Sequence, residues 1–211
     1  ADGNVLRWLS APGQYQKTVT GGKLIGQVPA LTLVTTGDFD RDLDDDILLY
    51  NAVGGYFILW EMQNGDIANG GYLTHWNAIQ DLVGVGDLDG DGDDDVAWRR
   101  GDNSWVFSWE MEAGARVAVN QPTIVNKDLD LTALADVDGD GDSDMIFRAS
   151  STSPLAGRTT VVEVENGTGI GVTNLGVWFG VMDLQETGDF DGDGDQEGLF
   201  IRASDNQTRI K

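Results

Sequence analysis

The sequence predicts an all-β fold, a β-propeller of four repeats of about 49 residues, each a four-stranded antiparallel blade carrying one acidic loop. Three observations predict it. An aspartate-rich loop of nine residues recurs at 38–46, 87–95, 136–144 and 189–197, the first aspartates lying 49, 49 and 53 residues apart. Each loop is wedged between two strand-like apolar runs. The 29 glycines, the turn clusters and the absence of long amphipathic stretches point to short strands joined by tight turns.

The elements repeat in order. A leucine stands five residues before each loop: Leu33, Leu82, Leu131 and Leu184. A short apolar run comes after each loop: Ile47 to Tyr50, Val96 to Trp98, Met145 to Phe147 and Gly198 to Ile201. After a turn, a second strand ends in a recurring cassette: Trp60-Glu61-Met62-Gln63-Asn64-Gly65, Trp109-Glu110-Met111-Glu112-Ala113-Gly114 and Val162-Glu163-Val164-Glu165-Asn166-Gly167. Asn-Gly at a strand end is a hairpin signal. A third strand covers Ile67 to Leu73, and a fourth leads into the next loop. The third repeat carries a four-residue insertion near Ser150–Gly157.

The ends carry the same strand twice. Ala1 to Gly13 reads as the cassette strand with Trp8 in the tryptophan position, and Lys211 falls on that position at the other end. Residues 1–211 are therefore expected to form one propeller domain, with the N-terminal strands completing the last blade. The alternative is a four-blade part of a larger propeller, with self-association through open blade ends.

The loop chemistry points to a hard cation. Carboxylates at positions 1, 3, 5 and 9 surround one point, and the backbone carbonyl of position 7 adds a further oxygen. The candidate residues are Asp38, Asp40, Asp42, Asp44 and Asp46 in the first loop, and Asp87, Asp89, Asp91, Asp93 and Asp95 in the second. The third supplies Asp136, Asp138, Asp140, Asp142 and Asp144, and the fourth Asp189, Asp191, Asp193, Asp195 and Glu197. An all-oxygen cage suits Ca²⁺, which takes about 6–8 oxygens, better than Mg²⁺. Zinc and copper sites need His or Cys, and the chain has one His and no Cys. The loops are not EF-hands, because position 12 is Leu49, Trp98, Phe147 or Phe200 rather than a bidentate Glu. Four Ca²⁺, one per loop, is the expected complement.

The loops are not equivalent. The second and third keep every acidic position and glycines at positions 4 and 6. The fourth has Glu197 at position 9, and the first has Arg41 and Leu43 in place of both glycines. If position 6 must be left-handed, Leu43 costs about 1–2 kcal/mol there. The first site is expected to be the weakest.

Loops of the form D-x-D-G-D-G-x-x-D, followed by an apolar strand and a W-x-M-x-N-G hairpin, resemble FG-GAP/VCBS repeats, found in the β-propellers of integrin α-subunits and in many bacterial extracellular proteins. The resemblance covers nearly the whole chain. It implies that each acidic loop joins two strands of a blade and holds one Ca²⁺. Relatives include adhesion proteins, propeller lectins and propeller modules of lyases, so it implies no single activity.

Composition narrows the function further. With 13 basic and 36 acidic residues the formal net charge is −23, and four Ca²⁺ would leave −15, which opposes nucleic acid and anionic membranes. No run is long enough for a transmembrane helix, so membrane insertion is not expected. No metalloprotease helix, nucleophile elbow or phosphate loop is found, so no catalytic residue is assigned and the chain is read as a non-enzyme. His75 reads as a loop or strand-edge residue, Arg100-Gly101-Asp102 as a chance tripeptide, and Trp60, Trp98 and Trp109 as core. Asn166-Gly167-Thr168 and Asn206-Gln207-Thr208 are glycosylation sequons. The expected role is an extracellular, cell-surface or periplasmic binding or adhesion module for a glycan or protein ligand. The alternatives are a structural repeat unit of a surface assembly or filament, and a non-catalytic module of a polysaccharide-degrading enzyme.

Overall fold

The computed structural model describes residues 4–10, 19–27, 31–51, 53–75, 80–100, 105–124, 126, 128–149, 153–177, 182–202 and 205–210. The described residues form strands and turns and contain no helix. No helix is therefore long and apolar enough to cross a membrane. The chain divides into two compact units, Ala1–Asn77 and Ala78–Lys211.

In the first unit, β1 (Asn4–Ser10) and β2 (Val19–Gln27) pair as a two-stranded sheet. β3 (Leu31–Gly37), β4 (Asp46–Asn51), β5 (Tyr56–Gln63) and β6 (Asp66–His75) form a four-stranded antiparallel sheet in chain order. In the second unit the same four-strand order recurs twice. One sheet holds β7 (Gln80–Gly86), β8 (Asp95–Arg100), β9 (Trp105–Glu112) and β10 (Ala115–Ile124). The next holds β11 (Leu129–Ala135), β12 (Asp144–Ala149), β13 (Arg158–Glu165) and β14 (Thr168–Val177). The last sheet has three strands: β15 (Met182–Gly188), β16 (Glu197–Arg202) and β17 (Thr208–Ile210). These meandering antiparallel sheets are propeller blades, and the fold class is the expected β-propeller. Each acidic loop joins the first two strands of its blade.

The repeat reaches down to register. Leu33, Leu82, Leu131 and Leu184 each precede a β-bulge, which leaves residues 34, 83, 132 and 185 unopposed on the partner strand. A bulge twists a strand sharply and redirects the chain beyond it, here into the acidic loop. Each cassette ends in two consecutive left-handed residues: Asn64 and Gly65 (φ 51° and 76°), Ala113 and Gly114 (50° and 75°), Asn166 and Gly167 (50° and 71°). Two positive φ values define the type I′ hairpin that Asn-Gly favours. β1 and β2 carry bulges at the positions equivalent to those of β5 and β6, with Trp8 opposite Gly22 as Trp60 is opposite Gly70. β17 meets β16 as β5 meets β4, with Leu199 opposite Ile210 as Leu48 is opposite Leu59.

Sheets of the second unit pack face to face. Leu88, Ala97 and Val106 of the second repeat cluster with Met145, Phe147, Val162 and Val164 of the third. The other face of the third sheet buries Ala135, Ile146 and Val161 against Leu184. All six residues of β12 are buried, because a central strand between two sheets has no solvent face; its middle, Met145-Ile146-Phe147, therefore runs apolar instead of alternating. Trp60, Trp98 and Trp109 are buried core residues, as expected.

Two buried arginines stitch neighbouring sheets together. Arg99 donates to the Leu129 carbonyl and to Asp130 at 3.2 Å. Arg148 donates to the Met182 carbonyl and to Thr159 Oγ1 at 2.7 Å, and lies over the Phe200 ring. Residues Trp76, Gly101, Asp102, Ser150, Trp178 and Lys211, and the side chains of Trp8 and His75, lie outside the described residues.

Candidate metal centres

Every repeat brings three carboxylates together. Oxygens of Asp38, Asp40 and Asp42 lie within 4.8 Å of one another, as do those of Asp87, Asp89 and Asp95, of Asp136, Asp138 and Asp144, and of Asp189, Asp191 and Glu197. Positions 1, 3 and 9 thus converge in the last three loops, and positions 1, 3 and 5 in the first.

Each acidic position has its own local task. Position 1 accepts the loop's own amides: Asp87 takes Gly90 N–H at 2.8 Å and Gly92 N–H at 2.9 Å, and Asp136 takes Gly139 and Gly141 at 2.7 and 3.0 Å. Asp189 accepts from Gly192 at 2.5 Å and Gly194 at 3.3 Å, and Asp38 from Asp42 and Leu43 at 3.1 and 2.9 Å. Position 5 caps position 7: Asp42, Asp91, Asp140 and Asp193 accept the amides of Asp44, Asp93, Asp142 and Asp195. The position 7 side chains of Asp44, Asp93 and Asp142 accept the first amide of the I′ hairpin, from Asn64, Ala113 and Asn166, at 2.6–2.7 Å. One oxygen of each of these carboxylates is therefore occupied in the fold, which leaves the other carboxylate oxygen and the backbone carbonyl as what position 7 has to offer.

Position 9 carries the deepest carboxylates. Asp46, Asp95 and Asp144 are at most 1 % exposed. Each accepts one amide from its own loop and one from the cassette strand: Phe39 and Met62, Leu88 and Met111, Val137 and Val164. Glu197 accepts the loop amide of Phe190 at 3.0 Å and is only half-buried. Phe190 is itself 45 % exposed, against 0 % for Phe39 and Leu88, so the fourth loop is the most open.

Positions 4 and 6 are left-handed in all four loops. Gly90 and Gly92, Gly139 and Gly141, and Gly192 and Gly194 have φ between 73° and 107°, while Arg41 and Leu43 stand at 60° and 72°. The condition for strain at Leu43 is met. Leu43 is 90 % exposed and contributes no packing. Leu43→Gly should therefore raise stability by about 0.5–1 kcal/mol, after allowing for the greater freedom of the unfolded chain. The expected rise in Tm is about 1–4 °C by calorimetry.

The electrostatics fit a cation. Asp40 Oδ1 and Asp93 Oδ1 are buried and have no hydrogen-bond partner. Asp95 is pushed up to about 8, Asp46 to about 7, and Asp89 and Asp144 to about 6. Burial is the main cause, neighbouring carboxylates add to it, and backbone amides oppose it. At exposed Asp191 the charge of Asp193 is the first cause of an upward shift. Between the ordinary value of 3.8 and these raised values, the folded chain holds more protons than the unfolded one. Metal-free stability should therefore fall as pH rises from about 4 to about 8. Melting in EGTA at pH 5 and pH 8.5 should give the higher Tm at pH 5. Saturating Ca²⁺ should reverse that order, because the protons that stabilise the empty loops compete with the ion.

A cavity of about 410 Å³ lies between the sheets of the third and fourth repeats, within the second unit. Its apolar wall includes Val137, Ile146, Val161, Leu175, Leu184 and Phe200, and its polar lining includes Thr159, Glu163, Thr173 and Gln196. The fourth repeat has Gly198 where the third has Met145, which fills the space between the second and third sheets. The smaller residue leaves room even though Phe200 and Leu184 lean over it.

The fold and these loops define a β-propeller with four carboxylate clusters, one per repeat, that could hold a metal ion. Neither the protein-family models nor the curated proteins give a match to the chain.

Proposed function

We propose that the chain is a calcium-stabilised extracellular β-propeller, of the FG-GAP/VCBS type, acting as a binding or adhesion module for a glycan or protein ligand. The carrying observation is the recurrence of a three-carboxylate, all-oxygen cluster in the acidic loop of every repeat, built from positions 1, 3 and 9 in three of them. Asp87, Asp89 and Asp95, with their equivalents, would hold the ion, and the ion would neutralise charges that otherwise repel inside a partly buried loop. An oxygen-only donor set favours Ca²⁺ over softer metals, and millimolar external calcium suits a cell-surface, secreted or periplasmic setting. The ligand-binding half of the reading draws on the cavity, whose volume falls in the range of small-molecule sites. A glycan array probed with and without Ca²⁺ tests it: calcium-dependent retention of one sugar class supports the reading, and no retention of any sugar removes the glycan ligand.

A structural role in a surface assembly is the second reading. It is favoured by the matching registers of β1 and β17, two copies of one blade strand at opposite ends of the chain. Sizing over a wide concentration range tests it, since strand exchange between copies would give mass that rises with concentration.

A further inference from the structure

The acidic loops of the second unit are tied to one another as well as to their own sheets. Ser143 N–H, beside Asp144, donates to the Asp87 carbonyl at 2.5 Å. Gln196 N–H, beside Glu197, donates to the Asp136 carbonyl at 2.7 Å. In each pair the residue before a position 9 ligand holds the backbone of a position 1 ligand in the preceding loop. Side chains repeat the link. A Cβ at Gly90 would lie 2.2 Å from Asp142 Oδ1, and a Cβ at Gly139 would lie 2.2 Å from Asp195 Oδ1. The position 7 carboxylate of one loop therefore closes against the position 4 glycine of the loop before it. Asp142 is 7 % exposed, and its other oxygen holds Asn166 N–H at 2.6 Å. Gly167 N–H then reaches back to the Leu88 carbonyl at 2.8 Å.

We propose that the second, third and fourth sites fill as a coupled row, with Asp142–Ser143 and Asp195–Gln196 acting as positioning residues for the ligands of the preceding loop. The inference rests on the calcium reading above. Ordering of the third loop around Asp136, Asp138 and Asp144 fixes residues 142–144. That in turn fixes the Asp87 carbonyl and the space beside Gly90. With the third loop empty, its carboxylates repel and the same contacts loosen. The fourth loop acts on the third through identical atoms. Because coupling between binding sites is reciprocal, each site must change its neighbour's affinity by the same factor in both directions.

The glycine amides provide site-specific reporters. Gly90 and Gly92, Gly139 and Gly141, and Gly192 and Gly194 each donate to the position 1 carboxylate of their own loop. The whole chain, labelled with ¹⁵N, is titrated with CaCl₂ and monitored at these amides. Asp191 is exposed and accepts only the exposed Asp193 amide among the hydrogen bonds described, so Asp191→Asn disables the fourth site without stripping a buried amide of its acceptor. The calcium midpoint at Gly139 and Gly141 should then rise about fivefold or more, and that at Gly90 and Gly92 by less. Asp89→Asn, which disables the second site, should also raise the midpoint at Gly139 and Gly141, and it decides the matter if the first variant does not fold. Midpoints at Gly139 and Gly141 unchanged by both substitutions would overturn the coupling while leaving calcium binding intact. If no loop glycine of the unsubstituted protein responds to CaCl₂, the calcium reading fails and the coupling fails with it.

Discussion

Removing calcium with EGTA should lower the melting temperature by about 5–10 °C for each site that was well filled. An ion that binds only the native state stabilises it by about 2.7 kcal/mol per site at a hundredfold excess over Kd. For a chain of this size each kcal/mol moves Tm by about 2–4 °C. The effect should be large because the loops hold the first two strands of each blade together. Asp95 and Asp144 reach from the loop to Met111 and Val164 on the cassette strand, so a loop sprung open by its own charge also loosens the third strand. The third and fourth sheets depend on this, since the cores they share begin at Val137 and Leu184 beside the loops. A melting curve indifferent to EGTA, in protein shown to be metal-free at the outset, would mean that calcium does not stabilise the fold.

Asp95→Ala and Asp144→Ala should be the most damaging single substitutions in the loops, costing about 4 kcal/mol or more at saturating Ca²⁺. Each removes a member of its carboxylate cluster, about 2.7 kcal/mol at the same excess. Each also strips two buried amides of their acceptor, at about 1–3 kcal/mol per orphaned donor. Asp89→Ala and Asp138→Ala remove a cluster member with less buried bonding, so they should cost about 2–3 kcal/mol. Asp40→Ala should cost least, because the first loop holds Arg41 and Leu43 in left-handed backbone and starts from a weaker site. Calorimetric titration and thermal melts of the five variants give the ranking. If Asp40→Ala proved the most damaging, the strain at Arg41 and Leu43 would have to be offset by something stronger in the first loop. In EGTA the gap between Asp95→Ala and the unsubstituted protein should narrow. A carboxylate whose pKa stands near 8 is costly to keep charged in an empty loop.

Much of this architecture is written in the chain because it is written four times. The acidic loops and the leucines recur four times and the cassette three times, all in step at spacings of 49 or 53 residues, and only a repeated blade satisfies all three patterns at once. Left-handed backbone at positions 4 and 6 was legible from glycines in three loops, and the first loop adopts it with Arg41 and Leu43 all the same. There the tertiary frame prevails over local preference, since Asp46 still anchors the loop through Phe39 and Met62. The I′ hairpins were legible from Asn-Gly, and Ala113 adopts the same turn without the favoured residue because Asp93 caps its amide.

Other features arise from the folded chain alone. The loop pattern predicts that positions 1, 3, 5 and 9 surround one point, but it does not say that 1, 3 and 9 meet in three loops and 1, 3 and 5 in the first, or that position 7 turns its side chain to a hairpin. Those outcomes depend on where the cassette strand lies, and its amides are too far along the chain to leave a local signal. Leu33 and its equivalents were visible as a repeat, but the bulge after each is a property of two paired strands. Arg99 and Arg148 are buried because carbonyls of the next sheet receive them. The bonds from Ser143 to Asp87 and from Gln196 to Asp136 involve backbone atoms, which every residue possesses. Periodicity and side-chain chemistry are local and are carried by the sequence. The meeting of backbone groups from different blades is decided by packing, and it appears only when the sheets stand side by side.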